Sequence, residues 1–147
     1  MGKFKKETFY KDGEAVTEIY YDNLHFIGHA DCHPDDKPYI SEGLGRRVSE
    51  IRALRKFGKH VLANEVRPQL KILRHLMDCM KQNKGYNPHS NEVRLLRRQI
   101  GQLETEQKLL KNDLELMRQE IDDLISSHEE FWAKIKAKRE REKAKND

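Results

Sequence analysis

Cysteine is nearly missing from this chain: Cys32 and Cys79 are the only two in 147 residues. Two thiols cannot build a disulfide framework, and a reducing, cytoplasmic setting is the expectation. Long apolar runs are missing too. No stretch approaches the roughly 18 apolar residues of a membrane span. The opening Met1-Gly2-Lys3-Phe4-Lys5-Lys6 leads into no apolar segment, so no secretory signal is expected. There is no glycine-rich phosphate loop, no nucleophile elbow and no HExxH helix. Gly43-Leu44-Gly45 is a lone pair of glycines at a helix start. Asp35 and Asp36 read as loop residues rather than as a paired-carboxylate site. An enzyme is the least expected class, and no cofactor is called for. Aromatic residues make up 7% of the chain and hydrophobic residues 36%, against 37% charged. That leaves material for one modest core and a long solvated helix.

The net charge of +4 conceals a segregation. Residues 1–40 carry net −3, residues 41–85 net +7, residues 86–133 net −4 and residues 134–147 net +4. Basic zones attract phosphate-rich or acidic partners over long range.

The N-terminal segment alternates. Phe4 to Tyr10 lead to Lys11-Asp12-Gly13, a turn signal in which glycine takes positive φ. Ala15 to Tyr21 follow, then a second turn at Asp22-Asn23. Leu24 to Cys32 form a third strand with Leu24, Phe26, Gly28 and Ala30 on one face. Short spacers predict an antiparallel three-stranded meander. His33-Pro34-Asp35-Asp36-Lys37-Pro38 is a loop. Ser41 is the expected helix N-cap, with Ile40 as a hydrophobic staple. Leu44, Val48, Ile51, Leu54, Val61 and Leu62 recur at helical spacing. Pro68 predicts a break and a fresh helix start. Leu70, Leu73, Leu76, Met77 and Met80 give that second helix its apolar side. Gly85 is the candidate C-terminal cap, and Asn87-Pro88 the candidate start of a third helix. The fold class is therefore α+β: a small meander plus helices, followed by a long C-terminal coiled-coil helix. The divisions expected are residues 1–66, a connecting segment 67–87, and a coiled coil with basic tail over 88–147.

From Val93 the spacing alternates between three and four for six heptads. Val93, Ile100, Gln107, Leu114, Ile121, His128 and Ile135 fall at a. Leu96, Leu103, Leu110, Met117, Leu124 and Phe131 fall at d. An isolated helix cannot bury such a stripe, so another helix must cover it. β-Branched residues at a with leucine at d favour a parallel homodimer, about 64 Å long over Val93–Ile135 at 1.5 Å per residue. Glu106 opposite Lys111, and Asp113 opposite Arg118, suit that pairing. Gln107 and His128 are polar layers: tolerated breaks in the stripe, or, paired across a dimer, hydrogen-bonding partners that fix register. Leu95, Leu109 and Leu116 at c, with Ile125 and Trp132 at e, widen the apolar face. They call for cover by the chain's own N-terminal part, by a larger bundle, or by a docked partner.

Two constellations bear on chemistry. His29, Cys32, His75 and Cys79 are the residue types of a tetrahedral zinc site. They form no CxxC pair, and ordinary packing accounts for them as well. Arg46, Arg47, Arg52, Lys56 and Lys59 are the stronger set. They belong to a run of basic residues that reaches Arg67, Lys71 and Arg74, opposed only by Glu50 and Glu65. Arg52, Lys56 and Lys59 stand at i, i+4 and i+7, on one helix face. Such a face neutralises phosphates, or is simply solvated beside the acidic N-terminal residues.

Phe26-Ile27-Gly28-His29-Ala30-Asp31-Cys32-His33-Pro34-Asp35-Asp36, then Gly43 or Gly45, then Ile51-Arg52-Ala53-Leu54, resembles a small α/β module. It is found in phage, prophage and bacterial proteins and has a double-stranded-RNA-binding-type fold. The likeness covers roughly residues 3–65. It implies a sheet packed on the Leu44–Leu62 helix and a phage origin. It carries over no nucleic-acid contact residue by position.

These observations predict a non-enzymatic homo-oligomeric interaction protein of the cytoplasm, phage or prophage encoded. Its basic helix would bind a nucleic acid or nucleoprotein. A phage inhibitor gripping a host defence protein such as a nuclease, and a structural virion or scaffold component, are the alternatives.

Overall fold

A computed structural model describes residues 3–31 and 42–146. Strands β1 (Phe4–Lys11), β2 (Glu14–Tyr21) and β3 (Leu24–Asp31) form an antiparallel sheet in the order β1-β2-β3. Helix α1 (Glu42–Val61) passes through a π-helical turn (Leu62–Val66) into α2 (Arg67–Lys81). Helix α3 (Asn91–Asn146) follows. The α+β meander with a long C-terminal helix is the architecture that the sequence pattern predicts. The expected loop His33–Pro38, the Ser41 cap, the Ile40 staple and Cys32 lie outside the described residues. Among the described residues, no helix is long and apolar enough to cross a membrane.

The chain divides into two compact units, Met1–Ala53 with Leu116–Asp147, and Leu54–Glu115. In the first unit, Asp12 and Gly13 take φ of 54° and 78° between the paired Lys11 and Glu14. Two left-handed residues in a two-residue loop match the right-handed twist of the strands. Asp22 is also left-handed, at φ 54°, in the second hairpin. Ala15, Thr17 and Ile19 oppose Ala30, Gly28 and Phe26 across β2 and β3. Period-two alternation puts these six on one face, and α1 lies against it. Gly28 is where the helix comes closest. A Cβ there would fall 2.1 Å from the Ser49 carbonyl oxygen and 2.5 Å from the Ala53 nitrogen. Thr17 and Ser49, both fully buried, share a hydroxyl hydrogen bond of 2.8 Å. Thr8 meets Thr17 at 2.9 Å, and Ser49 donates to the Arg46 carbonyl at 2.9 Å. The chain of hydroxyls satisfies polar groups that would otherwise be buried at a cost. Around it Ala15, Ala30, Val48, Ile51 and Ile121 form the core, flanked by Tyr10, Leu44, Met117 and Leu124.

The second unit is helical. Leu62, Val66 and Leu114 pack with Val61 and Leu110. Met77, Val93 and Leu96 pack with Leu73, Met80, Tyr86 and Ile100. Pro68 stands at the first turn of α2, as expected, yet the chain does not leave helical geometry before it. Val66 and Arg67 both remain right-handed helical, and the Arg67 amide donates to the Leu62 carbonyl, five residues back. Proline lacks an amide hydrogen and crowds the carbonyl four residues earlier; the wide turn just ahead of it absorbs that conflict. Gly85 is not the cap. Helix α2 ends at Lys81, and the Asn83 amide bonds to the Met80 carbonyl. Gly13 is the one positive-φ glycine among the described residues. Asn87 does not begin α3 either. Its side-chain oxygen accepts from the His89 amide at 3.0 Å, a local turn. Ser90 takes the capping role, its hydroxyl accepting from the Val93 amide at 3.3 Å.

Candidate nucleic-acid interface

Helix α1 is polar on the side its apolar stripe leaves free, and Arg46, Arg47, Arg52, Lys56 and Lys59 are all exposed. They are not equally available. Arg47 grips Glu120 of α3 through both prongs, Nε to Oε1 at 2.9 Å and Nη2 to Oε2 at 3.0 Å. It also meets Glu50 at 3.1 Å. Hydrogen bonding to Glu120 is the main reason its guanidinium is held above the ordinary arginine pKa. Arg47 is thus a clamp within the first unit. Arg46 sits over the Tyr10 ring, 5.4 Å from the centroid. Arg52 donates Nη1 to the His29 carbonyl at 2.7 Å. That bond fixes the side chain without cancelling its charge. Lys6 of β1 meets Glu50 of α1 at 3.0 Å, so here the N-terminal segment brings a base, not an acid, to the helix.

In the second unit α1 presents Lys56 and Lys59, and α2 adds a set built the same way. Arg67, Lys71 and Arg74 recur at i, i+4 and i+7. Together with Leu70, His75, Asp78 and Gln107 they line one open cleft. Arg74 reaches Glu104 at 3.2 Å, with both side chains about half exposed; such a pair is worth well under ~1 kcal/mol and yields readily to a phosphate. The sequence pattern ranks Arg52, Lys56 and Lys59 first, although Arg67, Lys71 and Arg74 carry the same spacing. Gln107 gains a local explanation: this polar a residue is half-buried beside the polar side of α2.

The heptad stripe is largely covered from within the chain. Val93 and Leu96 pack on Met77, Leu114 on Leu62 and Val66, and Ile121 on the sheet and α1. Ile100, Leu103, Gln107, Leu110, Met117, Leu124, His128 and Ile135 are half-buried, and Phe131 is 47% exposed. The c positions stay outside: Leu95, Leu109 and Leu116 are 55%, 57% and 62% exposed.

Of the zinc candidates, His29 belongs to the first unit and His75 and Cys79 to the second; among the described residues no group of three or more His, Cys, Asp or Glu side chains is placed to hold a metal ion. His29 Nδ1 lies 2.7 Å from Glu14, and His75 faces Cys79 at 3.6 Å. Cys32 lies outside the described residues.

No family model matches this chain, and no curated protein or solved structure matches it either.

Proposed function

We propose that this is a non-enzymatic, self-associating protein that binds the phosphate backbone of a nucleic acid. The basic side of the helical unit carries the contact: Arg67, Lys71 and Arg74 on α2, with Lys56 and Lys59 on α1. The observation that supports this most is the spacing of Arg67, Lys71 and Arg74 along one exposed helix side, bordering an open cleft. Three cations about one helical turn apart span about 10 Å at 1.5 Å per residue. That matches a run of successive phosphates along a strand. Contacts of this type position a protein on a backbone and read no bases. Arg52 in the sheet-bearing unit is a further exposed cation. Arg47 takes no part, being held by two carboxylates.

The test is retention of labelled DNA and RNA across a salt series. Binding falls steeply with salt, with a log–log slope near −0.9 per phosphate contacted on B-DNA. Arg67→Glu with Lys71→Glu flattens the slope by roughly one per lost contact and weakens low-salt binding roughly a hundredfold. Arg47→Gln leaves the slope unchanged. No retention of any single- or double-stranded probe at low salt overturns the proposal.

A further inference from the structure

The opposite side of the α2–α3 pair in the helical unit is built from different chemistry. Gln69, Ile72, Leu76 and Cys79 on α2 follow one another at spacings of three or four. Leu95, Gln99, Gln102, Glu106 and Leu109 do the same on α3. Ile72, Leu76, Leu95 and Leu109 are 60%, 48%, 55% and 57% exposed. Gln69, Ile72, Leu73, Gln99, Gln102 and Leu103 line a single shallow groove between the two helices. In a chain that is 37% charged, Glu106 is the one charge among these nine residues, with Arg98 bordering them on α3. An apolar, charge-poor face of this kind marks a protein contact.

The order of residues on α3 identifies the partner. Around Gln102 the face is chemically palindromic. Leu95 and Leu109 lie seven residues to either side, and Arg98 and Glu106 lie four to either side. Arg98, Gln102 and Glu106 share one open cleft with Gly101 and Thr105. Neither Arg98 nor Glu106 makes an ion pair with the described residues. Gly101 has nothing within 4 Å of where a Cβ would stand, so a second backbone can approach there. A twofold contact needs this self-complementarity, with residue i on j and j on i.

We infer that this face binds a second copy of the chain, with the two α3 helices antiparallel and the twofold axis passing at Gln102. Leu95 then packs on Leu109 of the other copy, and Arg98 lies level with Glu106. A parallel pairing would instead set Arg98 level with Arg98 and Glu106 with Glu106. The heptad stripe stays on the chain's own helices, and the basic side of α2 faces away and remains open. The inference rests on the self-association part of the proposed function and supplies its surface.

Sedimentation and cross-linking of the full chain test it. Wild type sediments as a dimer. Leu95→Lys with Leu109→Lys raises the dissociation constant at least about a hundredfold while helix content holds. Arg98→Glu weakens the dimer roughly tenfold, and adding Glu106→Arg restores it. With Cys32→Ser and Cys79→Ser as background, Gln102→Cys chains oxidise to a covalent dimer. Leu95→Cys chains cross-link to Leu109→Cys chains but not among themselves. A wild type that stays monomeric at high concentration overturns self-association itself. A dimer indifferent to the two lysines, or one in which Leu95→Cys links to itself, overturns this face and orientation alone. In that case the heptad stripe or another surface is the contact.

Discussion

Two glycines mark close contacts of α1, Gly28 on the strand beneath it and Gly58 within it, and they meet different neighbours. At Gly28, in the sheet-bearing unit, the space a Cβ would need holds backbone atoms of Ser49 and Ala53. At Gly58, in the helical unit, the nearest atom is the Leu114 Cδ2 at 2.9 Å, the far end of a flexible side chain. The first unit is held by main chain pressed on main chain and by a line of buried hydroxyls. The second is held by leucine, valine and methionine side chains, which shift at small cost. The sheet-bearing unit is therefore the intolerant part of the molecule and the helical unit the adaptable one.

The sharpest way to break that contrast is Gly28→Ala. One methyl group must push a helix off a strand, and the expected loss is about 3 kcal/mol or more, read by urea denaturation. A value below about 1 kcal/mol would sink the idea of a rigid backbone contact. Leu114→Ala comes next. It removes a side chain that is 8% exposed in the core with Leu62 and Val66, and costs about 2–3 kcal/mol, at the low end for a site that can partly collapse. Ser49→Ala deletes the hydroxyl at the helix end of the line and costs about 1–2 kcal/mol, because Thr17 keeps Thr8 as a partner. Gly58→Ala is the smallest change. Gained helix propensity offsets the displacement of the Leu114 methyl group, leaving a net effect within about 1 kcal/mol of zero. If Gly58→Ala proves as damaging as Gly28→Ala, the two units do not differ in the way described.

Much of the fold is legible along the chain where one local signal decides the outcome. Asp12-Gly13 sets a tight hairpin because both residues accept positive φ. The small residues Gly28 and Ala30 mark the helix-facing side of β3 by alternation alone. Signals that compete with a near neighbour are harder to read. Asn87 and Ser90 are both good caps three residues apart, and only the fold shows that the Ser90 hydroxyl reaches the Val93 amide. Gly85 has the residue type of a C-cap, but α2 has already ended four residues earlier. The heptad stripe reads clearly as an apolar seam, yet a repeat does not say whether the covering helix comes from the same chain. Leu62, Val66 and Met77 supply that cover across long stretches of sequence. The basic residues are visible by type and spacing, whereas the commitment of Arg47 to Glu120, 73 positions away, is not.

The π-helical turn at Leu62–Val66 has a counting consequence. Gly58, Leu62, Val66 and Leu70 all point inward and are spaced by four, four and four. An ordinary α-helix gains about 40° with each such step and would drift some 120° off the seam by Leu70. The wide turn takes up one surplus residue and cancels most of the drift. Downstream the inward positions return to three and four, through Leu73, Met77 and Met80. Removing one residue from the turn, such as the exposed Ala63, leaves the spacing four, three, four, three, four, three from end to end. The inward positions then fit an unbroken α-helix, and Pro68 becomes the sole obstacle to one. This stretch of the chain is one letter longer than its packing requires, and the surplus letter gives the proline room.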